Sequence, residues 1–336
     1  MYHAWLSSKF HDKILCEACS QRCILDEGEI GRCGVREVVD GKLRLLVYEK
    51  AAAFNIDPVE KKPLYHFMPT SDILSLGTVG CNFSCQFCQN AEISQYPKEH
   101  EGKIFGEEAK AKDVIDIAKR RGCGSIAYTY NEPVVFFEYA YEMAKLAHEH
   151  ELKNVFVTSG YETHKAIDTI APYLDAMNID LKSFSNDFYT EVCGAKLKPV
   201  LDTIAYAHKK GIWIEITTLL IPGLNDSEEE LAQIAQFIAS IAPTIPWHIS
   251  GFFPAYKMQD IEPTPVNKLI KAYEIGKEAG LEYLYIGNVH DSKHQSTYCP
   301  RCGELLIKRD RYNVVIESFE QGRCTKCNHK IEGIFR

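Results

Sequence analysis

The chain has 336 residues, 46% hydrophobic and 25% charged, an apolar content too high for a disordered or fibrous protein. Lys and Arg number 38 against 46 Asp and Glu, a formal net charge of −8, which disfavours a general nucleic-acid binder because such proteins carry basic excess. No segment approaches the ~18 apolar residues of a membrane span, and the opening MYHAWLSSKFHDKILC has no uninterrupted apolar centre, so a cytoplasmic protein without membrane association is expected.

The cysteines carry more information than the charge. Thirteen is an odd number, and a chain of this length needs no disulfides to hold a core. Eleven of them fall into three groups with metal-ligand spacing, leaving only Cys123 and Cys193 alone; these two read as small buried thiols. Thiols kept for metals imply a reducing compartment.

Three regions follow one another. Residues 1–70 form a Cys-rich extension with Cys16, Cys19, Cys23 and Cys33, a segment from Lys42 to Ile56 that starts strand-like, and a loop with Pro58, Pro63 and Pro69. Residues 71–292 alternate short apolar runs with amphipathic helical periods. The strand candidates are Ile73–Val79, Ser125–Tyr130, Asn154–Ser159, Ala176–Leu181, Ile212–Ile221, Trp247–Phe253 and Tyr283–Gly287. Asp113 and Ser227 read as helix N-caps, and Gly122, Gly211 and Gly280 as helix stops. Apolar strands alternating with helices predict an α/β fold with a parallel sheet, and at least six βα units without a Gly-x-Gly-x-x-Gly turn favour a partial (β/α)6-type barrel. Residues 293–336 form a small module with Cys299, Cys302, Cys324 and Cys327 around a strand-rich stretch.

Directly after the first barrel strand comes GCNFSCQFCQN, placing Cys81, Cys85 and Cys88 on one loop. Loops after the C-terminal ends of such strands carry the chemistry of (β/α) folds. Three thiolates there can hold three irons of a [4Fe–4S] cluster, with the fourth iron open to a substrate. A zinc knuckle completed by a histidine such as His66 is the alternative.

The motif resembles that of radical S-adenosylmethionine (SAM) enzymes, and the chain resembles their pyruvate formate-lyase activating enzyme branch. Closer still is the branch of AmmeMemoRadiSam-system radical SAM enzymes, through DPVEKKPLYHFMP (57–69), GCNFSCQFCQN (80–90), TYNEPVVFFEY (129–139), NIDLKSF (178–184), PGLND (222–226) and IGNVH (286–290). The resemblance implies a partial barrel in which SAM chelates the open iron, is reductively cleaved to a 5′-deoxyadenosyl radical, and so removes hydrogen from a substrate. It also implies an external electron donor such as flavodoxin or ferredoxin, and Memo-like or AMMECR1-like proteins as partners.

By the same resemblance, Glu132 with Asn131 would contact the methionyl ammonium, Thr158 and Ser159 the ribose or carboxylate, and Lys182 the carboxylate, with Asp180 beside it. Phe87 precedes the last cysteine of the motif. Simpler roles stand beside these: Glu132 caps a helix starting at Pro133, and Asp180 and Lys182, two apart on one strand face, form a plain ion pair. Three positions depart from the activating enzymes. Val157 replaces an Asp, which removes a ligand of the relatives' monovalent cation site, and Thr217 replaces an Arg and Tyr256 a His, so SAM contacts at these two positions are altered. No residue is singled out as catalytic.

Two CxxC pairs separated by 21 residues read as a zinc ribbon at Cys299, Cys302, Cys324 and Cys327, with rubredoxin-type iron as runner-up. Cys16, Cys19, Cys23 and Cys33 suit either zinc or an accessory [4Fe–4S] cluster. An electron-transfer iron–sulfur protein, or a zinc-ribbon interaction protein, are the competing functions, and the substrate itself is not legible.

Overall fold

A computed structural model describes residues 2–335. Its centre is an eight-stranded sheet in which spatial order follows chain order. The strands are β1 (Ala53–Pro58), β2 (Asp72–Gly77), β3 (Ser125–Tyr128), β4 (Lys153–Thr158), β5 (Ala176–Asp180), β6 (Trp213–Leu220), β7 (Trp247–Gly251) and β8 (Leu284–Gly287). β2 to β8 run parallel, while β1 pairs antiparallel with β2. β1 and β8 are the two outer strands and do not pair with each other, which leaves a partial barrel.

All seven strands expected from the apolar runs are present, each within a residue or two of its run. They are buried almost end to end, as strands covered by helices on one side and packed residues on the other must be. β1 was not foreseen as a member of this sheet. Its AFNIDP composition lacks a β-branched run, and only Asp57 of its six residues is buried, so register with β2 decides its place instead of hydrophobic pattern.

Six helices connect the parallel strands: α1 (Ala111–Arg120), α2 (Phe137–Glu149), α3 (His164–Ile170), α4 (Leu197–Lys209), α5 (Glu228–Ile241) and α6 (Val266–Glu278). Ser227 caps α5 as expected, its hydroxyl accepting the Glu230 N–H at 3.3 Å. Gly122, Gly211 and Gly280 follow α1, α4 and α6 with left-handed φ of +71°, +79° and +89°. Asp113 is corrected: α1 starts two residues earlier with Lys110 as N-cap, and Asp113 lies in the first turn, where a carboxylate suits the helix dipole. The short α3, also unforeseen, is capped by Thr163, which accepts the Ala166 N–H at 3.1 Å.

The N-terminal residues share one hydrophobic core with the barrel; Leu6, Ile14, Val35, Leu43 and Leu45 pack in the same cluster as Leu76, Phe136 and Phe156. A buried ion pair bolts the two together. Arg36 Nη2 lies 2.6 Å from Glu138 Oε2, with both side chains at most 2% exposed, and Arg36 also donates to the Val135 carbonyl. Removal of either partner would leave an uncompensated buried charge.

The tail is stitched to the opposite end of the sheet. Met68 N donates to Ile334 O and Ile334 N to His66 O, while the buried Arg309 reaches the Tyr65 carbonyl at 2.8 Å. His66 sits in the middle of this seam. Its Nδ1 is 2.8 Å from the Glu332 carbonyl and its Nε2 is 2.6 Å from the Tyr285 hydroxyl. A carbonyl can only accept, so the neutral ring carries its proton on Nδ1 and accepts from Tyr285. The suggestion that His66 completes a knuckle with Cys81 is therefore overturned: its backbone N–H binds Glu215 and its ring stacks on Trp213 at the start of β6, whereas Cys81 follows the end of β2.

Burial lowers the His66 pKa from 6.5 to about 4. Between those values the unfolded chain takes up a proton that the folded chain refuses, so stability present above pH 6.5 is lost as pH falls toward 4. The slope approaches about 1.4 kcal/mol per pH unit. Denaturant unfolding of the parent and a His66→Gln variant should show the parent losing more stability over this window. Parallel profiles would contradict the assignment.

Candidate active site

The parallel register brings the ends of β2 to β6 level, so the loops that leave them converge. The loop after β2 turns at Thr78 and is fastened by Asn131 from the loop after β3. Asn131 Oδ1 accepts the Thr78 N–H at 3.2 Å, and its Nδ2 donates to Thr78 Oγ1 at 3.0 Å and to the Gly80 carbonyl at 2.8 Å. The amide is thereby committed to shaping the cysteine loop. Gly80 takes φ +90°, and a Cβ there would meet the Cys33 carbonyl at 2.6 Å, so only glycine allows this approach.

Cys81, Cys85 and Cys88 then face one cavity of about 420 Å³, which Phe87, Asn131, Thr158, Ser159, Asp180, Lys182 and Thr217 also line. A volume of that size suits a nucleoside-sized ligand, for which cavities of about 300–1,000 Å³ are usual. Lys182 is almost buried and bonds Asp180 at 2.7 Å, so the plain ion pair does form. It also stands over the Phe87 ring and in the field of Cys85. The neighbouring carboxylate and thiols hold the Lys182 amine well above its ordinary range. A fixed cation against three thiols fits an anionic cluster and a ligand carboxylate.

Glu132 stands behind the wall. It caps the turn at Pro133–Phe136 by accepting the Val134 N–H, the simpler role foreseen for it. It also accepts the Ser159 N–H at 2.9 Å and lies 2.7 Å from Thr158 Oγ1. On the far side of that hydroxyl, 2.6 Å away, is Glu162. One hydroxyl proton cannot serve two carboxylates, so one carboxyl must itself donate. Glu132 already accepts from backbone N–H groups, which leaves the proton on Glu162. Burial, with the Glu132 charge beside it, pushes Glu162 up to about 8, and burial raises Glu132 too. Glu132 thus positions Thr158 and Ser159 toward the cavity.

Tyr256 does not reach the wall; its hydroxyl bonds Glu99. Several residues near the site were not foreseen. Cys193 lies beside Cys85, and Lys61, Lys62, Asn288 and Tyr312 complete the cavity's edge. The signal for Lys62 was present in DPVEKKP, where Asp57 holds it at 2.8 Å. Tyr312, from the tail hairpin, had no local signal.

The flanking cysteines differ from each other. Among the described residues, the tail thiols Cys299, Cys302, Cys324 and Cys327 are the group that can hold a single metal ion, all within 4.8 Å of one another. The His329 N–H pulls the Cys327 thiol down to about 7. Cys16, Cys19, Cys23 and Cys33 instead line a second cavity together with Arg36 and Asn82.

With this geometry in view, the comparisons agree. The radical SAM superfamily profile matches residues 75–237. An uncharacterized protein of Methanocaldococcus jannaschii is 41% identical over 336 residues, covering 99% of both chains. A putative glycyl-radical enzyme activating enzyme of the same organism is 26% identical over 218 residues, 64% of this chain and 79% of that one. The crystal structure of a radical SAM methyltransferase from Sphaerobacter thermophilus superposes with a TM-score of 0.52 at 17% identity, over 66% of this chain and 67% of that one, and shows a shared fold. The chain belongs to the radical SAM superfamily, on its activating-enzyme-like side.

The bridge between the two carboxyls predicts a stability effect. Thr158→Val keeps the side-chain shape but strips Glu132, Glu162 and the Gly160 N–H of a partner. Each buried polar group left unsatisfied costs about 1–3 kcal/mol, so chemical unfolding should show a loss of roughly 3 kcal/mol. A variant as stable as the parent would refute the bridge.

Proposed function

We propose that the chain is a radical SAM enzyme that cleaves SAM reductively and removes a hydrogen atom from a protein partner. The observation that carries this reading is the gathering of Cys81, Cys85, Cys88 and Lys182 around one cavity at the ends of β2 and β5. The residues fit the groups the superfamily uses: three thiols with no fourth protein ligand from the motif, and a buried cation where a carboxylate would need one. Bound there, a [4Fe–4S] cluster and SAM would supply a low-potential electron and a 5′-deoxyadenosyl radical.

The chain's own groups supply position and exclusion of water. Cys81, Cys85 and Cys88 would hold the cluster, and Asn131 keeps their loop in place. Lys182 would exchange part of its bond to Asp180 for the methionyl carboxylate. Ser159, whose N–H Glu132 holds, would offer its hydroxyl to the rest of SAM, and Thr158, locked between Glu132 and Glu162, would shape the wall beside it. Phe87 and Leu219 supply apolar wall that keeps the cavity dry. The activating-enzyme relative supports a protein substrate, and the electron comes from a flavodoxin- or ferredoxin-like donor. Memo-like or AMMECR1-like proteins are the partners the resemblance implies. The tail thiols suit structural zinc, a closed four-thiolate site with no open position.

Anaerobic incubation with dithionite and SAM should release 5′-deoxyadenosine and methionine, and Cys85→Ala should abolish it. Full cleavage in that variant would sink the proposal. Lys182→Ala should bind SAM about ten- to hundredfold more weakly with the cluster still assembled, the loss of one charge-assisted bond of about 1.5–3 kcal/mol. An unchanged SAM titration would remove Lys182 from the site. Cys302→Ser should lose about one zinc per chain and loosen the tail; a parent chain without zinc would contradict the tail assignment.

A further inference from the structure

We propose that Cys16, Cys19, Cys23 and Cys33 hold a second [4Fe–4S] cluster, set against the cysteine loop of the active site, which relays electrons into it. The relay rests on the function proposed above; the cluster itself does not.

Spacing separates the two metals the sequence left open. Zinc sits about 2.3 Å from each of four thiolates and draws them close to one another. The tail thiols are drawn together in this way, within 4.8 Å. The four N-terminal thiols belong to no such group among the described residues, yet all four line one cavity. A cluster interposes iron and sulfide between its thiolates, so it suits ligands that converge without closing. Arg36, paired with Glu138, also lines this cavity, and its guanidinium lies near Cys16 and Cys33.

Asn82 gives the second observation. It is fully buried and immediately follows Cys81, its Oδ1 lying 3.7 Å from Cys81 Sγ. Its side chain also borders the N-terminal cavity and sits against Cys19. Its Nδ2 makes no well-aligned hydrogen bond, its amide interacting with the Cys19 thiol, and a buried amide donor without a good partner is costly. A cluster sulfur in the N-terminal cavity would accept that bond.

The two cysteine groups are also packed directly together, which a structural zinc site would not need. The Gly80 backbone abuts the Cys33 carbonyl, and Gln21 Nε2 donates to the Asn82 carbonyl at 2.9 Å. Lys98 lies in the field of Cys33, Cys81 and Cys85 alike. Asn82, which lines the second cavity, follows Cys81 directly in the chain. In the relay, a reduced one-electron carrier of the flavodoxin or ferredoxin class gives one electron to the N-terminal cluster. That cluster passes one electron to the cluster at Cys81, Cys85 and Cys88 and returns to its oxidised state. No bond, proton or leaving group moves in the transfer.

Anaerobically reconstituted full-length protein supplies the test, with iron, sulfide and zinc counted in three forms. The parent should hold about eight irons and eight sulfides per chain. The Cys81→Ala/Cys85→Ala/Cys88→Ala variant should keep about four of each, with an electron paramagnetic resonance signal on reduction. Cys16→Ser/Cys33→Ser should keep the other four. Iron retained by the second variant but absent from the first, with an extra zinc in the parent, overturns the inference and leaves the active site standing. Iron retained by the first variant alone supports the N-terminal cluster and defeats the active-site reading instead. With reduced flavodoxin as sole donor, Cys16→Ser/Cys33→Ser should form 5′-deoxyadenosine at least tenfold more slowly than the parent, a larger drop than with dithionite; equal rates overturn the relay.

Discussion

Parallel register is the constraint on which the rest of the molecule depends. Leu76 pairs with Tyr128, Tyr128 with Phe156, Thr158 with Ile179 and Asp180 with Thr217. These pairings set the ends of five strands level, so the three thiols, Thr158, Asp180 and Lys182 meet over one cavity although they span about a hundred residues of chain. A one-residue slip in β5 would turn Asp180 and Lys182 to the other face of the sheet. Burial of nearly every side chain in these strands makes such a slip costly, which is how core packing protects the geometry of the site.

The polar machinery is held from behind. Asn131 gives its whole amide to the cysteine loop, and Glu132, next in sequence, gives its carboxylate to Thr158 and Ser159. Glu132 leads into α2, where Glu138 pairs with Arg36, so the same short segment positions the cavity wall and anchors the N-terminal extension. The extension is consequently no appendage. It brings the Cys33 backbone against Gly80 and the Cys19 thiol against Asn82, so the two cysteine groups sit next to each other. The tail occupies the other end through His66 and Arg309, while its hairpin returns Tyr312 to the cavity's edge.

Much of this was legible because the signals were local. Apolar runs marked the seven parallel strands, Ser227 announced its own cap, and the spacing of Cys81, Cys85 and Cys88 pointed to one loop, whose three thiols the fold turns into a single cavity. What escaped depends on long-range contact. β1 escaped because its AFNIDP run carries no strand pattern, and its hydrogen bonds to β2 make it a strand. Asp113 was placed as N-cap three residues too late because no side chain caps α1. Glu162 follows Glu132 by thirty residues and carries no sign of burial, yet it shares a hydroxyl with it. Cys193 reads as an ordinary core thiol until Cys85 is seen beside it. The meaning of Cys16, Cys19, Cys23 and Cys33 turns on how far apart the thiols sit and on what lies next to them, neither of which spacing along the chain encodes.

The central claim is that the cavity over Cys81, Cys85 and Cys88 holds a cluster with one iron open to SAM. Electron–nuclear double resonance of the reduced parent with SAM labelled with ¹⁵N at its amino group tests this most directly. The account predicts a ¹⁵N coupling to the cluster signal that disappears in Cys85→Ala. A fully reduced, SAM-saturated parent that shows no such coupling would contradict it.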